Sequence, residues 1–547
     1  MTTITAKRPV DTALFGRTAD FSGTGRLLRL ALRRDRIVLP LWTLVIGLMP
    51  AFQLVSVRDL YTSQQQLNDF ATTTAASPAL LAMYGPVFGT ALGSIGTWKA
   101  GAMYTMIAIA AVLTVIRHTR VEEESGRAEL VGATSIGRRA GLSAALLLTF
   151  GAAVATGILC AASLYASDQA AAGSIAFGAA LAASGIVWGA VAAVSAQLSA
   201  FARVTRGIAF ALLGTAFALR AAGDAGSGTL SWFSPLGWCL QIRPFAQERW
   251  WVLLPLAATA VAATLIAYAL LDSRDTGAGL LKQRPGPAAA APRLSGPTGL
   301  AWRLQRGSLL VWTIGFGLYG LLIGAATNSI GKMLGDSGAI SDMIRRMGGS
   351  ESLEHGFIAY AVIMLAAAAS AYSISSVLRL HDEESNGRDE AVLVGAVGRM
   401  RYVAGHLGVA LLGPALALAV AGVAIGVVYG TAAGDLGTNL PRAIGAALVQ
   451  VPAVWVVTGV AVALFGLAPR FAPAAWGVLS AMIMLFIVGS LDGLPQWTVD
   501  LVPFVHPPKL PGAAFHPTPV LWLSAVAAVL IGLGLAGYRH RDLHRTG

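Results

Sequence analysis

Twelve apolar runs, each long enough to cross a bilayer, dictate what this chain can fold into. A spanning helix needs about 20 consecutive, mostly apolar residues. Such runs occupy 37–56, 98–116, 141–165, 173–196, 205–222 and 251–271, then 308–326, 355–378, 402–428, 442–466, 472–491 and 519–538. Inside hydrocarbon every backbone polar group must be paired within the protein, so runs of this length become helices. The expected class is an all-α polytopic membrane protein. Composition agrees: 55% of residues are hydrophobic and 12% are charged, about half the charged share of a soluble domain. The Ala- and Gly-rich runs at 141–165, 173–196 and 405–428 suit close helix–helix packing. The first 36 residues are polar and basic, and no cleavable signal peptide is expected.

The formal charge of +12 could suggest nucleic acid, but its placement argues otherwise. With the N-terminus inside, 29 of the 39 Lys and Arg residues fall in inner segments, as the positive-inside rule requires. The charge is topological, no nucleic-acid partner is expected, and both termini should be cytoplasmic in a multi-pass protein of the cell membrane.

A charged string interrupts the apolar runs twice. Glu122, Glu123, Gly126, Arg127, Glu129 and Val131 reappear 261 residues later as Glu383, Glu384, Gly387, Arg388, Glu390 and Val392. Other pairs follow at similar offsets: Trp42 with Trp312, Arg203 with Arg470, Pro235 with Pro503, and Arg274-Asp275 with Arg541-Asp542. The spacing predicts two parallel six-helix repeats related by an axis along the membrane normal. The boundaries read as a cytoplasmic segment 1–36, a first transmembrane half 37–272, a Pro/Ala-rich linker 273–307, a second half 308–538 and a tail 539–547. An amphipathic stretch precedes each half. Arg26, Arg29, Arg33 and Arg36 share one helical face while Leu27, Leu28 and Ala31 occupy another, and 299–306 is a shorter version; both should lie in the inner interface.

Each charged loop can hold a short amphipathic helix with acids in its first turn and arginines near its end, as the helix dipole favours. Duplication points to coupling helices, each seated in a cleft of a soluble ATPase, with Glu122, Glu123, Gly126, Arg127 and Glu129 forming one handle and Glu383, Glu384, Gly387, Arg388 and Glu390 the other. A solvated loop carrying positive-inside arginines is the plain alternative. No phosphate-cradling Gly-x-x-x-x-Gly-Lys-Ser/Thr string occurs in the chain. Any ATP, with its Mg, must therefore be bound by a partner, and the chain itself is not expected to be an enzyme.

Every Asp and Glu falls in a loop or at a span edge, which argues against an ion-driven carrier. Of the histidines only His406 lies within a span, and Cys160 and Cys239 are isolated thiols. No metal site is expected. The proline-broken outer segments 231–238 and 501–508 fit either re-entrant elements or aromatic-belt anchors. For a bulky apolar ligand the candidate lining is Trp98, Met103, Tyr104, Phe210, Phe217, Phe357, Tyr360, Met364, Trp476, Met482 and Phe486, on spans 2, 5, 8 and 11. Packing or lipid contact is the alternative for each.

Taken together, the two six-span halves, the doubled Glu-Glu-x-x-Gly-Arg-x-Glu loop and the missing nucleotide site resemble the fused permease subunits of actinobacterial ABC exporters. The strings Gly277-Ala278-Gly279-Leu280-Leu281, Arg284-Pro285-Gly286-Pro287 and 299–307 resemble the linker of the tetronasin or polyketide-antibiotic type, and Ser234-Pro235-Leu236-Gly237-Trp238 and His506-Pro507-Pro508-Lys509 its outer loops. The resemblance implies a type-2 ABC exporter architecture, with a substrate path between the halves. It also implies an ABC ATPase partner, in two copies, and multidrug efflux of hydrophobic compounds. The rivals are an ion-driven multidrug carrier, a membrane-embedded enzyme and a scaffold.

Overall fold

The computed structural model describes residues 20–76, 78–275, 277–281, 289, 296–334, 353–395, 397–489 and 496–541. Arg284-Pro285-Gly286-Pro287, most of the linker, and Asp542 lie outside these residues. The chain divides into two compact units, Met1–Arg284 and Pro285–Gly547. The described residues form helices and no strand. Among the described residues twelve helices are long and apolar enough to cross a membrane, six in each unit, and each overlaps one of the expected runs. The protein is an all-α polytopic membrane protein.

Unit 1 begins with α1 (Thr24–Arg34), which exposes Arg26, Arg29 and Arg33 and buries Ala31. Arg36, assigned by its spacing to the same helical face, lies beyond the helix end. The chain breaks at Asp35, whose buried carboxylate faces His118 Nε2 at 2.7 Å and Arg117 at 3.1 Å. Then come α2 (Val38–Leu60) and α3 (Ala102–His118), and the first charged loop carries α4 (Arg120–Glu124) and α5 (Arg127–Gly132). Next follow α6 (Ala140–Ala166), α7 (Ala171–Leu198), α8 (Ala202–Ala225), the short α9 (Pro235–Gln241) and α10 (Leu253–Asp272). The small residues expected to draw helices together do so between α6 and α7. A Cβ placed on Gly157 would sit 2.4 Å from the Gly178 carbonyl oxygen, and one on Gly178 would sit 2.3 Å from that of Gly157.

Unit 2 opens differently. Its first helix, α11 (Pro297–Leu334), runs without a break. Residues 299–306 are therefore its first turns and not a separate interfacial helix. At the offset that pairs Trp42 with Trp312, Asp35 corresponds to Gln305. That side chain is buried and 3.0 Å from His406 Nδ1, so it reaches a neighbouring helix without the chain turning. After α11 come α12 (Leu353–Ser385), α13 (Glu390–Leu393), α14 (Arg399–Ala432), α15 (Leu436–Leu448), α16 (Val451–Leu467), α17 (Ala475–Gly489) and α18 (Pro517–His540). The run read as 442–466 is thus divided. Pro452 cannot donate to the Leu448 carbonyl, and its ring crowds that group, which ends α15 there.

Of the two proline-broken segments, 231–238 is a buried structural piece with an aromatic fringe. Ser234 caps α9, accepting from Gly237 N at 3.4 Å, and donates to the Ala216 carbonyl at 2.7 Å. Leu236, Gly237 and Cys239 are buried, while Phe233 is exposed and Trp232 stacks on Trp251.

Candidate functional site

The first charged loop is built around its acids. A left-handed Gly126 (φ 74°) separates α4 from α5, a conformation that a side chain would strain. Glu122 holds Arg34 of α1 and Arg127, the latter at 3.4 Å. Glu123 turns inward to a bidentate pair with Arg274, just past the end of α10, at 2.7 and 2.9 Å. Arg120, fully buried, also donates to Glu123 at 2.9 Å. Its remaining donors go to the carbonyls of Ala196 and Ala278. Arg274 further donates to Gln197 at 2.7 Å and to the Ala278 carbonyl at 2.9 Å. Glu124 accepts from the Ala202 N–H at 2.9 Å, satisfying an otherwise orphan donor at the start of α8. One short helix therefore ties together the ends of α7 and α10, the start of α8 and the first residues of the linker. Leu280 and Leu281 donate backbone hydrogen bonds to Gln197 and Leu198.

The magnitudes sort these contacts. A buried, bidentate pair such as Glu123–Arg274 leaves a stranded charge if one partner is removed, at a cost of about 3–5 kcal/mol. An exposed pair such as Glu122–Arg127 contributes at most about 1 kcal/mol. Glu123 is a clasp, whereas Glu129, Leu130 and the half-exposed Arg127 point to solvent.

Unit 2 repeats the plan with fewer contacts. Gly387 is again left-handed (φ 63°). Arg388 pairs back to Glu383 at 3.0 Å, and Arg379 joins the same carboxylate at 2.9 Å. Glu384 holds Arg541, just past the end of α18. The Arg541 guanidinium also lies over the rings of Phe465 and Tyr538. At the 261-residue offset the position of Arg120 is taken by His381. Asp389 is buried here, and that burial raises its pKa above the usual carboxylate range. Glu390 and Val394 are exposed.

One expectation about the loops changes. The loop arginines do not close the short helices. Arg127 begins α5, and Arg138 instead donates to the Leu271 carbonyl at 3.0 Å and to that of Arg274, capping α10. Arg274 and Arg541, noticed in the sequence only as a repeated pair, are the partners of the second acid in each loop. The signal lay in their matched offset. Arg120, Gln197 and Arg34 carried no such signal.

The proposed ligand-lining residues divide between the units. In unit 1, Trp98 is buried and donates to the Gly85 carbonyl at 2.7 Å, with its ring against Tyr84 and Phe70. Tyr104 is buried against Phe177. Met103 and Phe210 pack on the same core, and Phe217 lies under Arg220. In unit 2, Tyr360 stacks on the buried Phe486, Phe357, Met364 and Met482 pack on the core, and Trp476 is exposed. Trp98, Tyr104 and Phe486 are core residues.

One acid at a span edge is buried: Asp224 lies in the last turn of α8. It is 3.6 Å from Arg220 and accepts from Ser231 Oγ at 2.5 Å.

A family described as "Multidrug efflux system permease Rv1217c, C-terminal domain" matches residues 25–274 and 294–539, one stretch in each unit. Over 543 residues the chain is 54% identical to the "Multidrug efflux system permease protein Rv1217c" of Mycobacterium tuberculosis (strain ATCC 25618 / H37Rv), covering 99% of each. An all-helical chain with twelve spanning helices, matched along both units by that description, belongs to the family of multidrug efflux system permeases.

Proposed function

We propose that the chain is the transmembrane subunit of an ATP-driven exporter of bulky amphipathic compounds, polyketide antibiotics and hydrophobic drugs among them. The two charged loops are its coupling helices, both on the cytoplasmic side with the termini. Each seats one copy of a separate ABC ATPase, which binds ATP and Mg. The observation that carries this reading is the clasp: in each unit the second loop acid is tied to an arginine past the sixth span, Glu123 to Arg274 and Glu384 to Arg541. A push on the exposed tip of such a loop is delivered to a spanning helix and is not absorbed by a slack connection.

The test uses Arg127→Glu and Arg388→Glu, which reverse exposed charges and leave both clasps in place. Each should insert normally yet lose drug-stimulated ATP hydrolysis and efflux in vesicles, and the double variant should lose more. Wild-type efflux in both single variants removes the loops from transmission.

The buried Arg220–Asp224 pair favours one other reading, an ion-driven carrier. Efflux that needs ATP and the partner, and that survives collapse of the proton gradient, excludes it. Efflux by the permease alone, abolished by an uncoupler and by Asp224→Asn, would replace the exporter reading.

A further inference from the structure

Unit 1 holds a cleft of about 470 Å³ beside the first charged loop, walled by α1, α5 and the first turns of α6. Its apolar lining includes Leu27, Ala31, Ile136 and Leu142. Among its polar lining residues, Arg34 and Arg127 converge on the single carboxylate of Glu122. Two guanidiniums thus share one negative charge: Arg34 donates one nitrogen to it, and Arg127 turns its Nε towards it while donating that N–H to Ser125 Oγ at 3.0 Å, so each keeps further donors. Arg34 is 34% exposed at its side chain and Arg127 53%. The site therefore has an apolar wall and a polar one, on which the guanidiniums of Arg34, Arg127, Arg138 and Arg274 outnumber the carboxylates of Glu122 and Glu123. It lies against a helix whose pattern puts it in the membrane interface.

We infer that this cleft binds an anionic phospholipid of the inner leaflet, with its phosphodiester on the donors of Arg34 and Arg127 that face away from Glu122 and an acyl chain along the Leu27–Leu142 wall. A zwitterionic headgroup would bring its own cation against the guanidiniums and gain less. A bare anion would leave the apolar wall unfilled. The choice of leaflet rests on the orientation proposed above, whereas headgroup selectivity is read out whichever side the loop occupies.

The experiment reconstitutes the full chain in nanodiscs of equal phosphatidylglycerol and phosphatidylcholine and measures the lipid retained on mild extraction by native mass spectrometry. Retained phosphatidylglycerol should exceed phosphatidylcholine about fivefold or more, since each basic side chain near a charged headgroup contributes on the order of 1 kcal/mol. The Arg34→Gln/Arg127→Gln double variant should fall to near parity. Ala128→Trp fills the cleft and keeps both charges, so it should fall likewise, and it carries the test alone if the double variant does not fold. Undiminished preference in Ala128→Trp overturns the proposal. So does displacement of the lipid by inorganic phosphate alone, which would mark a simple anion site. Dodecyl phosphate that displaces the lipid and is itself transported would make the cleft a cargo site, and the lipid assignment would fall.

Discussion

At the scale of single residues, burial decides which of two similar-looking arginines matters for stability. Arg274 is 3% exposed at its side chain and holds Glu123, whereas Arg127 is 53% exposed and holds Glu122. Arg274→Ala should therefore destabilise the protein in detergent by about 3–5 kcal/mol. Arg127→Ala should shift it by less than about 1 kcal/mol. Thermal unfolding followed by thiol labelling of buried Cys160 and Cys239 measures both, and equal losses would contradict the ranking. A second prediction concerns Asp389, whose pKa is raised in the folded state by burial. A raised carboxyl pKa means that its protonated form suits the fold. The associated stability is present below the unfolded value of about 3.9 and is lost as pH rises through the folded pKa. Asp389→Asn should accordingly raise the unfolding temperature near neutral pH, with the gain shrinking as pH falls through the folded pKa and the native carboxyl takes up its proton. A gain that does not change with pH would mean that charge is not the cause. The loop acids were legible in the sequence, because a repeated charged string stands out in an apolar chain. Their partners were not, since Arg274 lies 151 residues from Glu123 and Arg541 lies 157 from Glu384. Separation of that size is closed only by folding.

Elements were easier to read than their roles. Helices of membrane-spanning length follow from apolar run length alone, and all twelve runs were found in the expected places. Breaks within them depend on local chemistry: Pro452 divides the tenth run, while α11 runs on through Gln305 without a break. Which face of a helix is buried depends on neighbours, and there the aromatic candidates divided. Tyr104 and Phe486 are 2% and 4% exposed. Replacing either by alanine should cost about 3–5 kcal/mol of stability and depress transport of every compound alike. Phe217 and Tyr360 are only partly buried, so their alanine variants should instead change the ranking of compounds. A panel of structurally unrelated drugs, with expression level as control, separates the outcomes. A compound-specific effect from Tyr104→Ala would mark it as ligand-lining after all.

For the whole molecule, the proposed topology puts both loops on one side of the membrane. Single cysteines at Ser125 and Asn386, both exposed, should react with an impermeant maleimide only from the cytoplasmic face, in a background lacking Cys160 and Cys239. Labelling of the two from opposite faces would require inverted repeats in place of parallel ones. The molecule carries its two clasps on one polypeptide, with Arg120 in the first loop and His381 at the matching place in the second. A transporter assembled from two identical chains receives every mutation twice, once per copy, and must tolerate both. Fusion removes that constraint. A change at His381 is inherited alone, so one loop can drift toward a new neighbour while the other keeps its fully tied form.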